Sequence, residues 1–427
     1  MFRRFLLHYR SHNQSHYQLN WTSACIALLS VALLLFPICF SSSKPILFLS
    51  QACIASIFAL SFNMLLGQTG MLSFGHAVYS GLGGFVAIHA MNKISDGGLN
   101  FPLSLIPVIG GLAGALFGGI FGWISTKKSG ITFSMISLGI GELVFASALM
   151  FPGFFGGEGG VSANRVSGEP FLGISFGPQI EVCYLIIAWT IVATLAMYFI
   201  QKTPLGKLAE AVRDNAERVS FIGFDPRWIR FLMLVLSSFF AGIAGALSAI
   251  HFEIVSAENV SAVRSGTVLL FTYIGGISFF LGPVVGAVLG VLMSIFLSEL
   301  TPAWQLYTGI LFILAVVKAP QGVSGLALDF FNASQRARAR ASWQKFIARC
   351  AVFTTSISCI ASGAILAIEM LYRLRFKSGD EQVLSLFNWE FNPQHVFSWS
   401  IAALMVGLGI GLWCLVKPSE EGRYERA

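Results

Sequence analysis

The chain has 427 residues, of which 55% are hydrophobic and only 11% charged, with a mean hydropathy of +0.75. A soluble domain of this size carries about 25% charged residues, so the composition excludes an ordinary soluble enzyme. The excess positive charge behind the net +7 follows the loops between apolar runs, which argues against nucleic acid as a partner.

Arg3, Arg4 and Arg10 precede the apolar run Ser23 to Phe40, which lacks a small-residue cleavage site and reads as an uncleaved first helix. Beyond it, Ile46 to Asn92, Gly97 to Thr126, Val182 to Gln201, Ser265 to Ser298 and Cys350 to Ile368 contain no Asp, Glu, Lys or Arg. About 20 apolar residues suffice to span a bilayer as a helix. These runs are apolar on every face, which excludes the alternating pattern of a membrane β-barrel. Twelve spans are predicted, at about 23–40, 46–66, 72–91, 103–124, 130–151, 181–200, 231–251, 266–281, 283–299, 304–317, 347–369 and 396–416. The glycine-rich stretch 72–91 suggests a broken or re-entrant helix. The fold class is all-α, a polytopic transmembrane bundle of about ten core spans plus two C-terminal ones. It divides into a cytoplasmic segment 1–22, a membrane domain 23–326 and an extension 327–427.

Alternating the spans from a cytoplasmic N-terminus puts 20 Lys and Arg inside and seven outside, as the positive-inside rule favours. Arg373, Arg375 and Lys377 fall outside and go against it. The seven cysteines (25, 39, 53, 183, 350, 359 and 414) form no CxxC pair and read as small apolar residues.

The charged island Lys202 to Arg230 holds ten charged residues between long uncharged runs, so it must lie at one membrane surface. Thr203 suits an N-cap, Pro204 the first helical position, and Gly223 a left-handed C-terminal position before Pro226. Leu205, Leu208, Val212, Ala216, Val219 and Ile222 recur at helical spacing. Lys207, Glu210, Arg213, Asp214, Glu217 and Arg218 take the other side. An amphipathic surface helix over 204–222 is therefore predicted. A docking helix and a plain solvated connection both fit this pattern, and Arg213 and Glu217 also stand at the spacing of an intrahelical pair.

Inside the spans, His76 and Glu142 are the ionisable residues that stand out. Glu142 is read either as pathway lining or as a hydrogen-bonding group between helices. Asn63, Gln68, Ser73 and His76 lie among glycines 67, 70, 75, 81, 83 and 84. They are read either as polar lining of a pathway or as parts of a tight helix contact. Gly110, Gly114 and Gly118, and again Gly282, Gly286 and Gly290, form small-residue packing stripes. Gly157 to Arg165 is an external loop with a possible second role in contacting a partner. No paired carboxylates, metal-ligand cluster or nucleophile–base pair stands out. No G-x-x-x-x-G-K-[ST] loop is present.

The sequence T-P-L-G-K-L-A-E-A-V-R-D-N-A-E-R-V-S-F-I-G (203–223) resembles the cytoplasmic coupling segment of the LivM family, permease subunits of ABC importers for branched-chain amino acids. Gly206, Ala211, Arg213, Asn215 and Gly223 match the family pattern, and Ser220 stands where Ala is common. Asn63 to Gly84, Gly130 to Glu142, Phe240 to Leu247, Tyr273 to Gly286 and 319–325 are similar to further family blocks in the same order. Thr132, Ser134 and Ser137 depart from the family's Tyr, Ala and Thr.

The resemblance implies a non-catalytic subunit in a bacterial inner membrane, with ATP and Mg held by two partner ATPases. It also implies a second, LivH-like permease and a periplasmic binding protein. Gly206, Glu210, Arg213, Glu217 and Gly223 would couple to the ATPase. Asn63, Gln68, Ser73, His76 and Glu142 would line the substrate pathway. Urea, amides and other small organic solutes stand as alternative cargo. A stand-alone secondary transporter or channel stands as the alternative class.

Overall fold

Each of the twelve predicted spans meets a helix. The computed structural model describes residues 23, 25–40, 42–98, 101–166, 176–301, 303–318, 321–326, 330, 343–376, 384–386, 389–391 and 394–416. The basic residues at 3, 4 and 10, most of those between 336 and 349, and the start of the 319–325 motif lie outside the described residues or have no described side chain. In chain order the first unit holds α1 (Cys25–Cys39), α2 (Ser43–Thr69), α3 (His76–Ser95), α4 (Ile106–Ser125), α5 (Ile131–Met150), α6 (Gln179–Lys202) and α7 (Pro204–Phe221). It continues with α8 (Pro226–Phe252), α9 (Ala262–Gly275), α10 (Gly282–Leu292), extended by a π-helical turn Met293–Leu297, and α11 (Trp304–Lys318).

Among the described residues, six helical segments are long and apolar enough to cross a membrane. They are Ser43–Thr69, Leu103–Ser125, Ile131–Met150, Gln179–Lys202, Pro226–Phe252 and Thr354–Arg375. The helix Ala262–Gly275 ends before the predicted boundary at 281, because Gly276 takes a left-handed backbone with φ 108° and a turn follows.

α2 and α8 form the centre, each 27 residues long and buried over most of its length. At 1.5 Å per residue each spans about 40 Å. α3 and α4 pack on α8 through backbone rather than side chains. A Cβ on Gly242 would run into Gly110 O, one on Gly245 into Ser80 O, and one on Gly83 into Gly242 Cα. Where lipid supplies no hydrophobic drive between helices, such small residues let them approach closely enough for dispersion to hold them. The stripes at Gly110, Gly114 and Gly118 and at Gly282, Gly286 and Gly290 do the same: Gly114 abuts Ser238 O and Gly286 abuts Phe271 O.

The helical part of the stretch 72–91 is unbroken. α2 ends at Gly70 in a left-handed conformation (φ 69°), residues 70–73 carry no helix, and α3 then runs unbroken from His76. The glycines expected to break α3 serve instead as its contact surface.

The two ends of the bundle are marked by their contacts. At one end α7 meets the C-terminus of α2. At the other, strand β1 (Val161–Ser162) pairs antiparallel with β2 (Ile254–Val255), with Val161 opposite Val255. There too Asn92 donates to Ser162 O at 3.1 Å, and Lys44 meets Glu299 at 3.2 Å.

The second compact unit comprises residues 301–303 and 327–427. In it α12 (Trp343–Phe376) packs on α13 (Val396–Val416), with Ser356 Oγ donating to Gly409 O at 2.7 Å. β3 (Leu384–Leu386) and β4 (Trp389–Phe391) form a hairpin. Glu369 accepts from Thr301 Oγ1 at 2.9 Å and lies 3.7 Å from Arg373.

Candidate functional site

The charged island folds as two short helices, not one. Thr203 caps α7, its Oγ1 accepting from Gly206 N–H at 3.4 Å, with Pro204 in the first turn. The helix then breaks at Asn215, whose φ of −161° and ψ of 100° are extended. Asn215 Oδ1 accepts from Arg218 N–H at 3.0 Å, so Asn215 is the N-cap of the second piece. The expected continuous helix over 204–222 is corrected accordingly. The apolar spacing carried through the break and hid it. Gly223, at φ 96°, closes the segment in a Schellman motif: Phe224 N–H bonds Val219 O at 3.3 Å and Gly223 N–H bonds Ser220 O at 3.0 Å.

Gly206 is buried because the chain doubles back there; a Cβ would sit 2.5 Å from Gln201 O. Glu210 takes Lys207 at 2.9 Å. Arg213 does not pair with Glu217. Its guanidinium holds Asp214 Oδ1 at 3.1 and 3.2 Å and donates through Nη1 to Gly67 O, while its stem packs against Gly70. Glu217 is exposed, and its carboxylate has no partner among the described residues. Of the five coupling candidates, Arg213 is thus tied to the membrane domain, Gly206 and Gly223 shape the backbone, and Glu210 and Glu217 stand near or at the surface.

Arg213 reaches the elbow between α2 and α3, where four of the pathway candidates lie. The elbow is pinned from several sides. Ser134 Oγ donates to Leu72 O at 2.8 Å, Phe74 N–H donates to Ser137 Oγ at 3.0 Å, and Ala77 N–H to Ser265 Oγ at 2.9 Å. Ser134 and Ser137 are two of the positions noted above as departures; their hydroxyls hold the elbow.

His76 is fully buried, stacked on Phe58 with ring centroids 5.5 Å apart and edge-on to Phe62 and Tyr79. Ser61 Oγ donates to Phe58 O at 2.7 Å and lies 3.0 Å from His76 Nε2. Ser61 has one proton, so the ring presents Nε2–H to its oxygen and keeps Nδ1 as a bare acceptor. Asn63 Oδ1, Gln68 Oε1, Ser73 Oγ and His76 Nδ1 are all buried without a hydrogen-bond partner in the described protein. Each such group costs about 1–3 kcal/mol where it stays unpaired.

Glu142 is elsewhere. It lies in the middle of α5 on an exposed face that also carries Thr132, Met135, Gly139, Ala146 and Leu149. Nothing in the described protein lies within 4 Å of a Cβ built on Gly139.

At the opposite end stand two arginines: Arg165, read from sequence only as the end of an external loop, and Arg264, to which sequence reasoning gave no role. Arg165 donates to Phe176 O, Gly177 O and His251 O at 3.0, 3.2 and 3.3 Å and lies 3.8 Å from Glu253. It ties the α5–α6 connection to the end of α8. Arg264 stands in the first turn of α9, and its position directly before a long uncharged run was the available signal.

The sequence from residue 45 to 317 matches the family described as branched-chain amino acid transport system / permease component. The chain belongs to this family. Among curated relatives, the high-affinity branched-chain amino acid transport system permease protein LivM of Escherichia coli (strain K12) is 27% identical over 293 residues. That alignment covers 62% of this chain and 67% of the relative. The fructose import permease protein FruF of Bifidobacterium longum (strain NCC 2705) is 27% identical over 252 residues, covering 54% of this chain and 66% of the relative. FrcC, a fructose import permease protein of Rhizobium meliloti, is 22% identical over 297 residues, 65% of this chain and 78% of the relative. No solved structure matches. In a permease of this family, multi-pass and helical, the charged island and the elbow both fall inside the matched region, whereas α12 and α13 lie beyond it.

Proposed function

We propose that this chain is the membrane-spanning permease subunit of an ATP-driven importer in a bacterial inner membrane, with branched-chain amino acids as its cargo. The chain carries no phosphate-cradling loop, so the energy comes from separate ATPases that bind ATP and Mg. A second, LivH-like permease completes the pathway, and a periplasmic binding protein delivers the solute. The N-terminus and α7 face the cytoplasm. The LivM relatives support amino acids over the sugars named for the fructose permeases.

The observation that carries the reading is the bond from Arg213 to Gly67 O. An ATPase that grips the two-part segment at Glu210, Glu217 and the Gly223 turn moves Arg213. Arg213 in turn pulls on the elbow between the central helix α2 and α3. When the elbow shifts, the bare acceptors of Asn63, Gln68, Ser73 and His76 gain access to donors such as water or a passing ammonium group. Glu142 supplies a carboxylate along the α5 face.

The test is Arg213→Glu in proteoliposomes that hold the purified transporter with its ATPases. Leucine uptake is expected to fall about tenfold or more, an effect of roughly 1.4 kcal/mol or larger, while ATP hydrolysis persists. Unchanged uptake overturns the assignment. Purification of the native complex without any ATPase overturns the importer reading itself.

A further inference from the structure

A cavity of about 1040 Å3 opens between α2, α5, α8 and α9, toward the end of the bundle opposite α7. Ile54, Phe58 and Phe271 give it an apolar wall. Arg264 and Glu258 both line it. Arg264 is half-buried, and its partners are neutral: Nη1 donates to Asn259 Oδ1 at 2.8 Å and Nη2 to Ser248 Oγ at 3.4 Å. Among the described residues no carboxylate lies within 4.0 Å of its guanidinium.

Arg264 also stands in the first turn of α9, where Ser261 Oγ caps its own N–H. The N-terminal end of a helix is already positive, so a cation there is placed against the dipole. Two positive features in a partly desolvated wall, with no carboxylate at ion-pair distance among the described residues, are unfavourable, since a buried charge needs a counter-charge close by. Arg165 and Arg213, by contrast, each have one. The missing component is an anion that enters from the cavity. A guanidinium takes a carboxylate bidentately. Glu258 on the same wall provides for a cationic group, and the apolar wall for a hydrocarbon side chain. Binding clefts for small molecules run to roughly 300–1,000 Å3, so a solute of this size fits with water beside it.

We propose that this cavity is a solute site within the subunit: the carboxylate rests on Arg264, an ammonium group on Glu258, and an apolar side chain on Ile54, Phe58 and Phe271. The choice of solute rests on the importer reading above; the demand for a carboxylate rests on Arg264 alone.

The experiment is equilibrium binding of radiolabelled leucine to the full chain in phosphatidylcholine nanodiscs, which keep anionic headgroups away. 4-Methylpentanoate, which is leucine without its amine, is expected to displace the label. Isoamylamine, which lacks the carboxylate, and fructose are expected to leave it in place. Arg264→Gln should weaken leucine about tenfold or more, while Arg264→Lys, which keeps the charge and controls for folding, should bind within a few-fold of wild type. Glu258→Gln should weaken leucine and leave 4-methylpentanoate unchanged.

Absence of saturable leucine binding to the wild-type chain overturns the proposal. So does equal displacement by isoamylamine or fructose, or an Arg264→Gln chain that binds as tightly as wild type. Because binding is read without ATP, failure here leaves the coupling through Arg213 untouched. Conversely, sound binding without any copurifying ATPase would overturn the importer and keep the site.

Discussion

His76 shows how a polar group deep in a membrane domain is made tolerable. Its ring fills a slot between Phe58, Phe62 and Tyr79, and one nitrogen bonds Ser61. Removing it leaves a cavity the size of an aromatic ring, and truncations of that kind cost about 3–5 kcal/mol. His76→Ala is therefore expected to lower the thermal unfolding midpoint in detergent markedly. A residue that merely lined an aqueous path would leave the midpoint unmoved. Of the two sequence readings of His76, packing is the one its surroundings fill, yet the bare Nδ1 keeps a polar role at the elbow open to it. The partners of Arg213 were less legible. Glu217 stands four residues on and invites a helical pair, but the extended backbone at Asn215 takes Glu217 out of register and leaves Asp214 and Gly67 O as the bonds made. A single residue outside helical geometry does not disturb apolar spacing enough to be read.

At the scale of elements, the contrast between two glycines separates folding from assembly. Gly242 sits where α8 crosses α4, and any side chain there strikes Gly110 O. Gly139 on α5 has open space. Gly242→Val is expected to cost at least about 1–3 kcal/mol, the usual range for overpacking, seen as a lowered unfolding midpoint. Gly139→Val is expected to leave that midpoint in place. If the α5 face with Glu142 receives the second permease, Gly139→Val should instead reduce copurification of that subunit; retention of the partner would move the interface elsewhere. The stripe at Gly110, Gly114 and Gly118 was visible in the sequence because its period is local. Which helix it meets was not, because the match with Gly242 and Ser238 joins residues more than a hundred positions apart. The same limit hid the elbow: Ser134 and Ser137 look like unremarkable small residues in α5 until Leu72 and Phe74 are brought beside them.

For the whole molecule, the distribution of polar contacts fixes which loops share a side. Arg213 meets Gly67, and Arg227 lies over the ring of Trp123, so the island, the α2–α3 elbow and the end of α4 lie together. Asn92 meets Ser162, and Arg165 meets the segment after α8, so those loops lie together at the other end. The alternation drawn from charge alone assigns the same two groups to opposite sides, which is why the order of spans could be read before any contact was known. Charge counting gives a bias between faces, however, and contacts give only partnership, so the absolute orientation needs a chemical probe. In a cysteine-free background, Glu158→Cys and Arg218→Cys are expected to respond oppositely to a membrane-impermeant maleimide. The first should label in intact spheroplasts and the second only after the membrane is opened. Labelling of both from one side would contradict the bundle itself, because α8 could not then cross. Labelling in the reverse order would keep the bundle but put the Arg213 handle out of reach of any ATP-driven partner, and the importer reading would fall while the Arg264 cavity remained to be explained.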